Sequence, residues 1–419
     1  MVDRVYLSLP TIEQEKFPGQ LTFAEGKADR SIDDFRRSSW ISANELSFPG
    51  SKDEDWRWVD LEHFPDVFFS TQPETAIRIS YFDENEALVP KLPDGIILTD
   101  LGTAQQKHAG LWAGLAGKTL KTKVNKFSSM TAALANSGLL MNVSKNSALS
   151  GTFLIEVNYG ALTGSAFSHH ILHLEEGASA TVILQLNGEA ADSAALISDL
   201  FEISLGAGAT LNLTEVQTLP RHIWQISHEK ATLEAQASLT WTYATLGAGM
   251  TKNFVTIDLN GEGSTALARG LYFASTGQRF DLDTQQNHKA PHTTSDLLYK
   301  GVANANGKAT WEGMITVDPV AQQTDGYQSN RNLILSDLAE INAIPGLEIC
   351  ADDVKCSHGA TVGHLNDDEL FYLQCRGIPL AEARTLIVQG FFAGVLDSIP
   401  HEATKNELGR IITEKLKEQ

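Results

Sequence analysis

Three cysteines in 419 residues are too few, and the wrong parity, for a disulfide framework. They fit a reducing compartment. No apolar run reaches the length of a membrane span, so no transmembrane segment is expected. Basic residues are scarce: 32 Lys and Arg face 52 Asp and Glu, a formal net charge of −20. A surface so acidic repels phosphate backbones and argues against nucleic-acid binding. Its plainest role is solubility. The start, Met-Val-Asp-Arg-Val-Tyr, lacks signal-peptide architecture and acidic residues follow soon, so the expected compartment is the cytoplasm. Neither G-x-S-x-G nor H-E-x-x-H occurs. Leu115-Ala116-Gly117-Lys118-Thr119 imitates the end of a phosphate-binding loop. The glycine required five positions before Gly117 is Trp112, so this chain is not expected to bind ATP.

Helical periodicity is nearly missing from 139 to 378. Short alternating segments recur there, each introduced by a small-residue turn: Glu176–Ala180, Gly206–Ala209, Gly261–Ser264 and Asn306–Ala309. Segment 231–243 keeps the same phase without its glycine. A stacked β-solenoid and a β-sandwich both fit this pattern. Before it, Ser31-Ile-Asp-Asp-Phe-Arg-Arg-Ser reads as a short serine-capped helix, residues 76–105 carry short alternating runs, and 124–137 suit a helix stopped by Gly138. After it, Pro379 opens a helix with Leu380, Ala383, Leu386, Ile387, Phe391 and Val395 near helical spacing. Pro400 ends that helix, and a last one puts Leu408, Ile411, Ile412 and Leu416 on one face. Both helices could cap the open end of a solenoid.

The run Leu347–Gly363 holds two of the three cysteines within seven residues, with a histidine two positions after the second. If it is one extended strand, Cys350, Asp352, Cys356 and His358 share a face. A thiolate and an imidazole at i, i+2 can reach one soft or borderline metal ion. The set is too small to close a four-ligand site, so a second chain is needed. The other histidines carry less. His169, His170 and His173 read as ordinary strand residues, and His288 and His292 as parts of a hydrogen-bonded turn.

Ala351-Asp-Asp-Val-Lys-Cys-Ser-His-Gly-Ala-Thr-Val-Gly363, with Glu348, Phe371-Tyr-Leu, Arg376-Gly-Ile, Thr324–Asn330 and Asn332–Leu335, resembles the SufB/SufD family of iron–sulfur cluster assembly proteins, in its SufD-type form. Lys52-x-Glu54-x-Trp56-Arg57-Trp58 is a fainter match. The resemblance implies a mainly β fold, a right-handed parallel β-helix flanked by N-terminal and C-terminal helical regions. The corresponding division is 1–75 mostly helical or irregular, 76–378 β-helix core and 379–419 C-terminal helices. It implies a scaffold without turnover in a SufBCD complex, pairing with SufB through the β-helix. The ATPase SufC would bind the C-terminal helices, with Leu386, Phe391 and Val395 as docking residues. His358 and Cys356 then belong to an interface where iron or a nascent iron–sulfur cluster sits transiently, no cofactor being held tightly by this chain alone. Cys350 and Cys375 depart from the family pattern and are expected to be buried thiols. A homodimer stays open. The rival from another class is a secreted-type β-helix carbohydrate-active enzyme using paired carboxylates.

Overall fold

A computed structural model describes residues 30–50, 52–61, 64 and 75–418. The opening Met1–Tyr6 and much of the expected 1–75 region lie outside the described residues. Among the described residues helix α1 (Arg30–Glu45) comes first, and Ser31 is one of its helical residues instead of the cap of a short helix. Then come β1 (Ala76–Phe82), β2 (Leu88–Val89), β3 (Ile96–Asp100) and helices α2 (Leu101–Lys107), α3 (Ala109–Leu115) and α4 (Lys126–Leu134). Helix α4 is fixed by a capping box in which Asn125 and Ser128 satisfy each other's backbone N–H.

The succession of short strands is one parallel β-solenoid of about eight turns. It runs through β4 (Leu139–Val143), β5 (Ala148–Asn158), β6 (Gly164–Leu174), β7 (Ser179–Asn187) and β8 (Ala195–Leu205). Next are β9 (Thr210–Gln217), β10 (Ile223–Leu233), β11 (Ser238–Thr245), β12 (Met250–Leu259) and β13 (Thr265–Ala274). The last are β14 (Arg279–His288), β15 (Thr294–Ala303), β16 (Lys308–Val317), β17 (Asp325–Ile334), β18 (Glu340–Ile349) and β19 (Lys355–His364). Odd strands from β5 to β19 stack in one sheet and even strands from β4 to β18 in the other. The parallel ladders exclude the antiparallel sandwich.

The turns explain why the pattern is legible. Two residues before the odd strands β7, β9 and β13 the chain needs positive φ, and Gly177, Gly208 and Gly263 supply it. Before β11 that position is Gln236, at φ 59°, so the turn keeps its shape where the glycine is missing. Along each strand alternate residues enter the lumen, as Leu211, Leu213 and Leu239 do, and the main core is this lumen.

The two ends differ. At the N-terminal end β1 lies antiparallel on β5, β3 antiparallel on β4, and two-residue β2 finishes the row. At the other end β19 and β18 are the outermost strands of their sheets, and seven of the ten residues of β19 are exposed, the other three half-buried.

Helices cover the outer faces, not the open end. Trp40, Trp56 and Trp112 bury α1, the following 3₁₀ turn and α3 against the even sheet. Three C-terminal helices follow the last strand: α5 (Asp367–Cys375), α6 (Leu380–Leu396) and α7 (Glu402–Lys415). Val388, Phe392, Val395, Leu408 and Ile412 pack on Val216, Leu271, Phe273 and Val302 of the odd sheet. The end-capping expectation is therefore corrected. The apolar stripe of these helices meets an apolar stripe on the sheet's outer face, and burial of both decides the docking.

Phe392→Ala should cost about 3–5 kcal/mol by urea unfolding, because the ring fills this interlayer core. Leu386→Ala, on the exposed side of the same helix, should change stability by at most ~0.5 kcal/mol. Equal losses would contradict the packing.

Candidate functional site

The run around Cys356 is not one continuous strand. β18 ends at Ile349 and the chain turns through Cys350–Val354, held where Cys350 N–H donates to Val317 O at 2.9 Å and Asp353 N–H donates to Gln322 Oε1 at 2.9 Å. Cys350 and Asp352 therefore leave the face that alternation across a single strand assigned them. The solenoid must close each turn with a corner, and this corner falls between the two cysteines.

Cys356 and His358 do sit on one strand, β19. They stand in register with Gly326 and Gln328 of β17, both buried, while Asp325 and Tyr327 beside them are exposed. The same alternation turns Cys356 and His358 toward the lumen, at its open mouth. Cys356 is half-buried against Ile315, Val317, Ala321 and Ala351. A Cβ on Gly326 would meet Cys356 Sγ at 3.2 Å and His288 Nε2 at 3.5 Å, so the glycine makes the room for this thiol. Burial pushes the thiol's pKa up, the Gly326 N–H pulls it back, and Asp325 pushes it up again. His358 is exposed.

Two side chains do not close a metal site. Among the described residues no group of three or more His, Cys, Asp or Glu is placed to hold an ion. A tetrahedral site at this edge needs ligands from outside the chain. Cys350 and Cys375 are both exposed, which corrects the expectation of buried thiols. Cys350 lies in the corner turn and Cys375 at the end of α5.

The histidines elsewhere have structural work. His169 points outward from β6 and bonds Glu202 at 2.8 Å. The same carboxylate accepts from Gly117 N–H, Thr119 N–H and Leu120 N–H at 2.7, 2.9 and 3.0 Å. The loop that imitates a phosphate cradle is thus filled by the protein's own anion. His173 pairs with Ser204, and His288 is buried in the lumen between Thr293 and Ser295.

The lumen also holds a buried polar cluster that the sequence reading missed. Tyr159 bonds Ser168 and Asp199, and Gln225 donates to Asp199 at 3.1 Å. Tyr243 and Ser227 donate to Glu229 at 2.9 and 2.7 Å, with Glu215 beside it. Burial lifts Asp199 to about 6 and Glu229 to about 7, and raises Glu215 well above the carboxylate range with help from Glu229. The missed signal was phase. Asp199 continues the lumenal series of Ile197 and Phe201, and Glu215 that of Leu211 and Leu213.

The three residues expected to dock the ATPase divide. Val395 is fully buried against the odd sheet and Phe391 is half-buried under Lys300, so only Leu386 faces outward. Val395 cannot touch a partner directly. Periodicity showed that the helix is amphipathic but not which side the sheet covers. The exposed apolar side chains of this region are Phe371, Tyr372, Leu380 and Leu386, at 67, 56, 44 and 44% exposure.

Comparison with known proteins follows this geometry. The family model for the SUF system FeS cluster assembly SufBD core domain matches residues 157–391. The iron-sulfur cluster assembly protein SufD of Escherichia coli is 34% identical over 263 residues, 61% of this chain and 60% of that protein. The chain thus matches less than two thirds of that relative's length. SufD of Bacillus subtilis is 26% identical over 372 residues, covering 87% of this chain and 83% of that protein. An iron-sulfur cluster assembly SufBD family protein of Staphylococcus epidermidis is 26% identical over 321 residues, 76% of this chain and 68% of its own length.

The raised pKa of Glu229 has a signed consequence. Between 4.5 and about 7 the folded chain holds a proton that the unfolded chain has released, so this contribution is lost as pH rises through that window. Relative to wild type, Glu229→Gln should therefore gain thermal stability as pH goes from about 5 to 8. Buried His170, His228 and His288, lowered to about 3, 3 and 4, work oppositely and cancel in the comparison. A pH-independent difference in melting temperature would show that Glu229 is not protonated in the fold.

Proposed function

This chain belongs to the SufBD core family of the SUF iron–sulfur cluster assembly system, and from that premise we propose that it is a non-catalytic scaffold subunit of a SufBCD-type complex. The observation that carries the proposal is the open end of the solenoid. There the outermost strand β19, with seven of its ten residues exposed, carries His358 and Cys356 on one side. A SufB-type chain seats its own solenoid edge on this end, satisfies the free backbone groups and adds the missing ligands. Iron or a nascent cluster is cargo held between the two chains. Thiolate and imidazole suit it, since thiolates hold iron–sulfur clusters and in some of them two histidines stand in for two cysteines on one iron.

Phe371, Tyr372, Leu380 and Leu386 on α5 and α6 form the docking set for a SufC-type ATPase. Large exposed aromatic side chains are the residue types that carry binding energy at interfaces. The rival carbohydrate enzyme loses support from the same geometry. Two clusters of carboxylates have raised pKa values: Asp199, Glu215 and Glu229 are sealed in the lumen, where no sugar chain can thread, and Asp281 and Asp283 on the outer face are both occupied by the Lys252 ammonium at 2.9 and 2.8 Å.

Co-expression with SufB-type and SufC-type chains of the same source tests the reading. His358→Ala should impair cluster assembly in cells under iron limitation with little loss of stability. Cys350→Ser and Cys375→Ser should leave assembly intact, and Cys356→Ser should be intermediate because its thiol also packs. Full complementation by His358→Ala would remove the site assignment. Phe371→Ala with Tyr372→Ala should weaken ATPase binding at least ~30-fold by calorimetry, the loss of about 2 kcal/mol expected of a hot spot. Undiminished binding would remove the docking surface.

A further inference from the structure

The last turn of α7 is fastened to the solenoid by a buried lysine. Lys415 closes that helix and is 5% exposed. Its Nζ donates to Leu246 O at 2.9 Å and to Gln278 Oε1. Gln278, itself buried, is held at both ends of its amide. Its Nε2 donates to Leu246 O, Gly247 O and Ala248 O at 3.3, 3.2 and 2.7 Å. Its Oε1 accepts from Ser275 N–H and Ser275 Oγ–H at 3.1 and 3.0 Å. Residues just past the helix add to the grip. Glu418 pairs with Arg221, and Asn304 Nδ2 donates to Glu418 O at 2.8 Å. Arg221, Leu246, Gln278 and Asn304 lie in four successive corners, those after β9, β11, β13 and β15. One turn of helix is thus tied across four rungs.

A lysine ammonium has three protons to donate, and the neutral amine has two. The two acceptors that meet Nζ, a carbonyl and an amide oxygen, are both uncharged. For a third proton the structure offers the ring of Phe273, centred 5.6 Å from Nζ. The charged groups that face the amine are Glu418 and Arg221, and these are paired with each other. A buried charge without its own counter-ion is costly, so this setting favours the uncharged form. Burial lowers the pKa of Lys415 from 10.5 to about 7, while Glu418 pulls it up and Arg221 pushes it further down.

We infer that Lys415 is a proton-sensitive latch: as the neutral amine it locks the last turn of α7 into the row of corners, and uptake of a proton from solvent releases it. In the open turn the amine meets water and keeps its proton up to 10.5; in the closed turn it has lost that proton above about 7. Opening therefore takes up a proton between those values, and becomes about tenfold rarer per pH unit as pH rises through them. Helix α7 backs α6, with Gln389 Nε2 donating to Thr413 Oγ1 at 3.1 Å and Leu408 and Ile412 sharing a core with Phe392 and Val395. Release loosens the layer that carries Leu386. The latch does not depend on what docks there.

Hydrogen exchange of residues 402–418 in the full chain, corrected for intrinsic rates between about pH 6 and pH 9, measures this opening. Wild-type protection should be level below about pH 7 and rise about tenfold per pH unit above it. Lys415→Met, similar in length and never charged, should show no slope. Lys415→Arg, charged throughout, should leave the turn open at every pH. A flat wild-type profile, or the same slope in Lys415→Met, overturns the latch. Should Lys415→Met fail to fold, the wild-type slope and ¹³C-lysine spectra decide, with Lys415 assigned as the resonance lost in Lys415→Arg. Titration of that resonance near 7 supports the latch, and titration near the usual 10.5 overturns it.

Discussion

A rung of parallel strands satisfies its backbone only through the rungs on either side. The rest of this structure follows from that constraint. In the interior each strand has two neighbours, and side chains stack in rows down the lumen. At the N-terminal end the chain reverses, and short antiparallel strands terminate both sheets. At the C-terminal end it does not. The chain turns out after His364 into α5, leaving β19 and β18 with unpaired backbone edges. Proteins usually blunt such edges or use them. Here the edge carries the only cysteine–histidine pair on a single strand.

The interior tolerates polarity where it is paired. Asp199, Glu215 and Glu229 sit at lumenal positions whose register partners on the neighbouring rungs are Ser168 and Ser227, Leu184 and Tyr243, and Phe201 and Val255. Burial raises their pKa values and so lowers the cost of holding them away from water, and tyrosine, serine and glutamine side chains bond Asp199 and Glu229. On the outer face of the even sheet, Lys252 is buried between Asp281 and Asp283 at 2.9 and 2.8 Å. These networks tie rungs together sideways, and on the last two rungs the carboxylates Asp325, Glu340 and Glu348 lie on the outer face.

Much of this was legible in the residues. Three of the small-residue turns marked the odd strands β7, β9 and β13 because the corner needs a left-handed residue, and glycine is the usual one; the fourth, Asn306–Ala309, opens β16 of the even sheet, where Ala305 takes that conformation. Gln236 shows why the pattern was incomplete, since a residue with a Cβ can occupy the same conformation. The choice between solenoid and sandwich was not legible from periodicity, because both alternate; it came with the family resemblance. The corner between Cys350 and Cys356 was hidden because Asp352-Asp353 fits both an exposed strand face and a turn. Val395 was misassigned because an amphipathic helix shows its apolar face but not what covers it. The glutamates of the lumen stood out by phase alone, and one rung of sequence does not reveal which phase is inside.

The central claim is that the open rung is the docking edge. Amide hydrogen exchange at residues 355–364, measured on the free chain and on its complex with a SufB-type partner, tests it most directly. The free chain should exchange these amides fast, because the edge opens at little cost. In the complex, exchange through β19 should slow strongly, with smaller effects on β18 and none on β1 or β3. A stable complex in which β19 exchanges as fast as in the free chain, while protection appears elsewhere, would contradict the account.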